Sequence, residues 1–178
     1  MESSNLSTQE LLIKWKTISL KNPWDNNGFQ SIKRISDRLD HIYKTTPHNV
    51  AKLNCFGLIN DAANQCVKFR IEFLKLKMPN LASVCNLLST SQRKRIKGSF
   101  YHSLKLWRKS GFIHGDLSPR NILIDFTTEQ VYFVDWILDL ESFEATPQYA
   151  SKEVYLKRRT WFSDHYSADI ICSELLYI

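Results

Sequence analysis

The stretch from Ile113 to Trp136 constrains this chain more than any other. It reads Ile113-His-Gly-Asp-Leu-Ser-Pro-Arg-Asn-Ile-Leu-Ile124, then a polar turn, Asp125-Phe-Thr-Thr-Glu-Gln130, then Val131-Tyr-Phe-Val-Asp-Trp136. The short β-branched and aromatic runs predict two strands, Asn121 to Ile124 and Val131 to Val134, joined as a hairpin by the polar turn. Around this hairpin stand two acids and one amide: Asp116 in the loop before it, Asn121 at its start and Asp135 at its end. Taken singly, each is an ordinary turn or capping residue. Taken as a set, a carboxylate after a strand and a carboxamide at the end of a loop can hold a metal ion from two sides, leaving a second carboxylate to orient a hydroxyl.

The flanking sequence supplies a frame. Ile96, Phe100, Leu104 and Trp107 recur at helical spacing, which predicts a helix from an N-cap at Thr90 through Lys109, closed by Gly111 in a left-handed conformation. Near the start, Ser7 and Glu10 have the spacing of a capping box and Leu11, Leu12, Trp15 and Ile18 follow, predicting a helix from Ser7 to about Ser19. Asn22-Pro23-Trp24-Asp25-Asn26-Asn27-Gly28 breaks it. A second helix is expected from Phe29 to Tyr43, with Phe29, Ile32, Ile35, Leu39 and Ile42 on one face and Lys33, Arg34, Asp37 and Arg38 on the other. Beyond the turn Thr45-Thr-Pro-His-Asn49, two strands are expected, Val50 to Leu58 and Gln65 to Leu74, and Met78-Pro79-Asn80 ends that unit.

Composition narrows the class. A chain of 178 residues, 43% hydrophobic, suits one globular domain with a real core. The net charge of +6 sits partly in two clusters, Arg93-Lys94-Arg95-Ile96-Lys97 and Lys157-Arg158-Arg159. The first shares a helix with the apolar stripe but lies on another face, so a solvated surface is expected rather than a nucleic-acid site. Cys55, Cys66, Cys85 and Cys172 show no zinc-ligand spacing. No apolar run approaches the roughly 18 residues of a membrane span, and the polar start does not read as a signal peptide. The expected location is intracellular, either cytoplasmic or the host cytoplasm if the protein is an effector.

The central stretch resembles the catalytic loop and metal-binding strand of the protein kinase superfamily, whose HRDLxxxxN and DFG elements share the spacing of Asp116, Asn121 and Asp135. The resemblance implies an α+β, protein-kinase-like fold with a reduced β N-lobe over about residues 1 to 76 and a partial, mainly helical C-lobe over about 77 to 178. It implies ATP and Mg²⁺ as cofactors, Asp116 as catalytic base, and Asp135 and Asn121 as the main and second metal ligands. Pro47-His-Asn-Val-Ala-Lys-Leu53 is similar to the family's turn into its fourth strand. Phe69-Arg-Ile-Glu-Phe-Leu74 is similar to the strand leading to the hinge, so adenine is expected near Glu72 to Leu74. Lys21 is placed as the phosphate-binding lysine with Asp40 as its acidic partner, which requires a strand before it.

Downstream, Thr146-Pro-Gln-Tyr-Ala-Ser-Lys-Glu153 resembles the end of a serine/threonine-kinase activation segment. Ser167-Ala-Asp169 is expected to open the next helix, with its Asp supporting the catalytic loop. The chain departs from the pattern in several places. No glycine precedes Lys21, so no glycine-rich phosphate loop is present there. Gly115 stands where many kinases carry arginine, which removes the need for a phosphorylated activation loop. Trp136-Ile137 replaces Phe-Gly, as in aminoglycoside and choline kinase-like enzymes. Three readings follow: a protein serine/threonine kinase, a small-molecule phosphotransferase, and an inactive pseudokinase that binds a protein partner.

Overall fold

The computed structural model describes residues 13–20, 26–45, 49–51, 53–61, 63, 66–74 and 76–177. Its architecture is α+β. Strand β1 (Ile13–Leu20), helix α1 (Asn26–Thr45), and strands β2 (Leu53–Asp61) and β3 (Cys66–Leu74) form the first part. The strands make an antiparallel sheet in the order β1-β3-β2, with an irregularity between Leu53 and Cys55.

The helix expected from Ser7 to Ser19 is corrected over its second half, which is β1; Ser7 to Leu12 lie outside the described residues. The run Ile-Lys-Trp-Lys-Thr-Ile-Ser-Leu alternates as readily as it repeats at helical intervals, and its β-branched residues favour a strand. An unbroken register with β3, from Ile13 opposite Leu74 to Leu20 opposite Val67, gives the backbone partners that decide between the two.

Helix α1 turns Ile35, Leu39 and Ile42 into the core, where they join Leu53 and Ile71 of the sheet. Arg38 is buried with them, correcting its placement on the polar face: it lies three residues after Ile35 and four before Ile42, and so shares their side of the helix. Asp40 is exposed and pairs with Lys44 at 2.6 Å.

The second part comprises α2 (Leu81–Val84), α3 (Thr90–Ser110), the hairpin β4 (Ile122–Asp125) and β5 (Gln130–Phe133), α4 (Lys152–Tyr155) and α5 (Trp161–Glu174). Ser89, not Thr90, caps α3, exchanging hydrogen bonds with Gln92 in a capping box, and Gly111 at φ 72° closes the helix as expected. Helix α5 starts earlier than Ser167, because Thr160 caps it through a box with Ser163. The Thr160-x-x-Ser163 spacing signals this start.

The buried face of α3, Ile96, Phe100, Leu104 and Trp107, packs on the hairpin, with the Trp107 and Phe133 rings edge-on at 4.5 Å. Two connections stitch the sheet unit to the hairpin. Ala51 N donates to Phe133 O and Phe133 N to Asn49 O, while Ile124 N donates to Pro79 O. One continuous core, from Ile35 to Leu176, runs through both parts. Of the first basic cluster, Arg93 donates to the carbonyls of Leu88, Cys85 and Leu175, and Arg95 pairs with Glu129. Among the described residues no helix is long and apolar enough to cross a membrane.

Candidate active site

The loop between α3 and β4 carries Asp116. Gly111 redirects the chain, Phe112 and Leu117 anchor it in the core, and a short 3₁₀ turn, Pro119–Asn121, returns it into β4. Gly115 has φ +84°, and an added Cβ would overlap Ile137 Cγ2, so only glycine fits without displacement.

His114 is buried and lies stacked beside Trp107. Its Nε2 is 2.9 Å from Val134 O, and its Nδ1 accepts from Asp116 N at 3.4 Å. Since a carbonyl only accepts, Nε2 carries the proton and the ring is neutral. Burial pushes its pKa down to about 4, against the pull of the Asp116 charge.

Four groups hold the backbone of this loop. Asp164 of α5 accepts from His114 N at 2.7 Å and from Gly115 N at 2.8 Å. Arg38 of α1 donates to Ile113 O and Ile137 O, with its guanidinium over the Phe112 and Trp136 rings at 5.6 and 6.0 Å. Arg159 donates to Gly115 O at 3.1 Å. Finally, Ile137 N donates to His114 O. Burial raises the Asp164 carboxyl to about 6, opposed by the two amide hydrogen bonds and the nearby arginines. Burial likewise lowers Arg38 to about 10, opposed by Asp164.

Asp116 itself is half-buried. Its Oδ1 accepts from Thr146 N at 2.8 Å and from the Thr146 hydroxyl at 2.9 Å. Asn121 Nδ2 donates to Asp116 O at 2.9 Å and approaches Oδ2 at 3.4 Å. With the amide nitrogen turned to Asp116, Asn121 Oδ1 faces away as an acceptor. Asp135 follows β5 at φ 57° and is exposed. The chain on either side of it is pinned to the loop, through Val134 N to Asn121 O and Ile137 N to His114 O.

Thus Asp116 and Asn121 touch, and Asp135 emerges between two hydrogen bonds to their loop. Glu72 and Leu74 are in the last residues of β3, opposite Trp15 and Ile13 of β1. Lys21 falls outside the described residues, immediately after the end of β1 at Leu20. The loop-supporting Asp is Asp164, which corrects Asp169; Asp169 instead accepts from Tyr101 and pairs with His165. Arg38 and Arg159 were not legible as site residues, although Arg38's place in the apolar stripe of α1 was a usable signal.

Among the described residues no cluster of three or more His, Cys, Asp or Glu side chains forms a metal cage. The metal ligands expected from the sequence are fewer: the Asp135 carboxylate and Asn121 Oδ1. Two oxygen donors suit Mg²⁺, which keeps several waters and is normally completed by substrate phosphates. Beside Asp116, the space enclosed by Leu117, Thr146 and Tyr149 is a cavity of about 10 Å³, near the minimum for a single water.

Comparison with protein-family models and with curated proteins finds no match to this chain.

Proposed function

We propose that this chain is a protein-kinase-like phosphotransferase that moves the terminal phosphoryl group of ATP to a hydroxyl of a protein. The observation that carries the reading is the contact set on Asp116: Asn121 against its backbone and outer oxygen, Thr146 on its inner oxygen. Phosphoryl transfer requires little covalent chemistry from a protein. It requires an acceptor hydroxyl oriented by a carboxylate, and negative charge neutralised beside it. Thr146 fixes the rotation of the Asp116 carboxylate, leaving Oδ2 as the oxygen that receives the proton. Asp135 and Asn121 Oδ1 would hold Mg²⁺, which would neutralise phosphate charge beside Asp116.

A protein acceptor is supported over a small molecule by the surroundings of Asp116. From Thr146 the chain continues along a 3₁₀ turn, Pro147–Tyr149, into α4, where Tyr155 and Leu156 are exposed. An extended peptide could lie along such an open ledge with its hydroxyl at Asp116. The small sheet followed by a helix, loop and hairpin supports a kinase-like fold, and β1 ending at Leu20 supplies the strand that a phosphate-binding Lys21 needs.

The test is incubation of the chain with Mg²⁺, radiolabelled ATP and a mixed protein acceptor, beside thermal unfolding with and without Mg²⁺ and ATP. Transfer that disappears in Asp116→Asn and Asp135→Ala is expected. Nucleotide should raise the unfolding temperature of the wild type by mass action. Absence of both transfer and a thermal shift would remove the reading; a shift without transfer would reduce the chain to a nucleotide-binding module.

A further inference from the structure

The basic cluster Lys157-Arg158-Arg159 has no place in phosphoryl transfer, yet Arg159 is only 5% exposed. Its guanidinium is hydrogen-bonded entirely to backbone. Nε donates to Gly115 O at 3.1 Å, one terminal nitrogen donates to Leu140 O at 2.9 Å and to Ser142 O, and the other donates to Glu144 O. One planar fork therefore ties the catalytic loop to three carbonyls of the segment that leads from Asp135 to Thr146. The carboxylates of Asp116, Asp139, Glu144 and Asp164 surround it and offset the burial of its charge.

The glycine at 115 belongs to the same device. An added Cβ there would stand 3.1 Å from Arg159 Cδ as well as overlapping Ile137. The loop is bare at this position and the positive charge reaches it from a distant part of the chain. Segment 139–146 is also braced from α1, by Arg34 at 3.6 Å from Asp139 and 3.5 Å from Glu141. No side chain of the segment needs to be modified for these bonds to form, since Arg159 binds main-chain oxygen.

We propose that Arg159 is the positioning residue of the Asp116 site: an internal guanidinium that holds segment 139–146 in place, and so seats Thr146 on Asp116, without any added phosphate. The proposal rests on the phosphotransferase reading only for its effect on rate. Its structural half stands by itself, because a backbone clamp is measurable whether or not the site turns over.

The experiment is hydrogen–deuterium exchange of the phosphatase-treated full chain, with the peptide covering 139–146 as the readout, in wild type, Arg159→Lys and Arg159→Gln. Lysine keeps the charge but cannot fork to several carbonyls, so it separates charge from geometry. The wild-type segment should be protected with no phosphate present. Exchange there should rise about tenfold or more in both variants, while β4 and β5 stay protected. In the transfer assay both variants should lose kcat for the protein acceptor, with the KM for ATP unchanged. If the glutamine variant does not fold, the lysine variant and Thr146→Val carry the test, Thr146→Val being expected to release residues 144–146 alone.

Free exchange of 139–146 in unphosphorylated wild type, or protection unaltered in Arg159→Lys, would overturn the clamp. Equal loss of protection throughout the chain would also overturn it, since Arg159 would then be a general stability residue. An inactive wild type whose 139–146 segment loosens selectively in the variants leaves the clamp standing and removes the phosphotransferase reading instead.

Discussion

Thr146 directs two donors, its main-chain N–H and its hydroxyl, at one oxygen of Asp116, at 2.8 and 2.9 Å. A carboxylate held through a single oxygen by two donors cannot rotate freely, so its other oxygen keeps a fixed direction. The residues are thirty apart in sequence. What joins them is the course of the chain from Asp135 to Thr146, itself tied to the loop by Ile137 N and by Arg159.

Removing only the hydroxyl isolates this relationship. In Thr146→Val the main-chain donor remains and a hydrogen bond to a charged acceptor is lost, worth roughly 1.5 to 3 kcal/mol. If Asp116 acts as base, kcat should fall about 10- to 100-fold with little change in the KM for ATP. Thr146→Ser should recover most of the rate. A valine variant with wild-type kcat would show that the hydroxyl contact is incidental to the reaction.

The buried pair His114 and Asp164 predicts an unusual pH profile. His114 has a pKa lowered from 6.5 to about 4. The stability from burying it neutral is therefore complete above 6.5 and is lost as pH falls through 4. Asp164 is raised from 3.8 to about 6, so its contribution is complete below 3.8 and is lost as pH rises through 6. Between pH 4 and 6 the two slopes oppose each other, each amounting to about 3 kcal/mol. Urea unfolding across this window should be nearly level in the wild type. Asp164→Asn should gain stability as pH rises, and His114→Gln should lose it. Parallel profiles in the two variants would contradict the assignment of both groups.

The loop and hairpin were legible because their signals are contiguous: turn, strand, polar turn, strand, with acids and amide at fixed offsets from Asp116. The element bounds there shift by only a residue, to Ile122–Asp125 and Gln130–Phe133. Strand β1 was not legible because Trp15 and Ile18 satisfy a helical interval as well as a strand run, and the partner that decides, β3, lies some fifty residues away. Asp164 was displaced to Asp169 because the start of α5 was read nearly two turns late, at Ser167 instead of Trp161. Arg38 and Arg159 were hidden for a different reason. Both bind main-chain carbonyls, which every residue presents, so no complementary side chain marks their destinations in the sequence.

Gly115 is expected to tolerate no side chain. Alanine there must hold φ near +84° and place its Cβ within Ile137, beside Arg159 Cδ. A left-handed backbone costs about 1 to 2 kcal/mol, and forced overpacking about 1 to 3 more. Gly115→Ala should therefore lower the stability to urea by about 2 to 5 kcal/mol. Gly98→Ala is the control: the same methyl meets nothing within 4 Å and φ is ordinary for an L-residue. Within helix α3 that change should stabilise slightly. Equal effects at the two sites would mean that the loop yields easily at Gly115.

Arg38 separates packing from hydrogen bonding in the same loop. Arg38→Met keeps most of the side-chain volume over Phe112 and Trp136 while removing the donors to Ile113 O and Ile137 O. Two carbonyls would lose this partner, and Asp164 would lose a nearby positive charge. The expected destabilisation is about 2 to 5 kcal/mol, and it should shrink as pH falls below about 6, where Asp164 in the folded protein is protonated and no longer needs the cation. Arg38→Lys should fall between wild type and methionine, since one ammonium cannot reproduce the fork. The double variant Arg38→Met with Asp164→Asn decides the matter. If the two groups support each other electrostatically, its loss of stability at pH 7 will be smaller than the two single losses added together. Strict additivity would mean that Arg38 acts on the loop carbonyls alone.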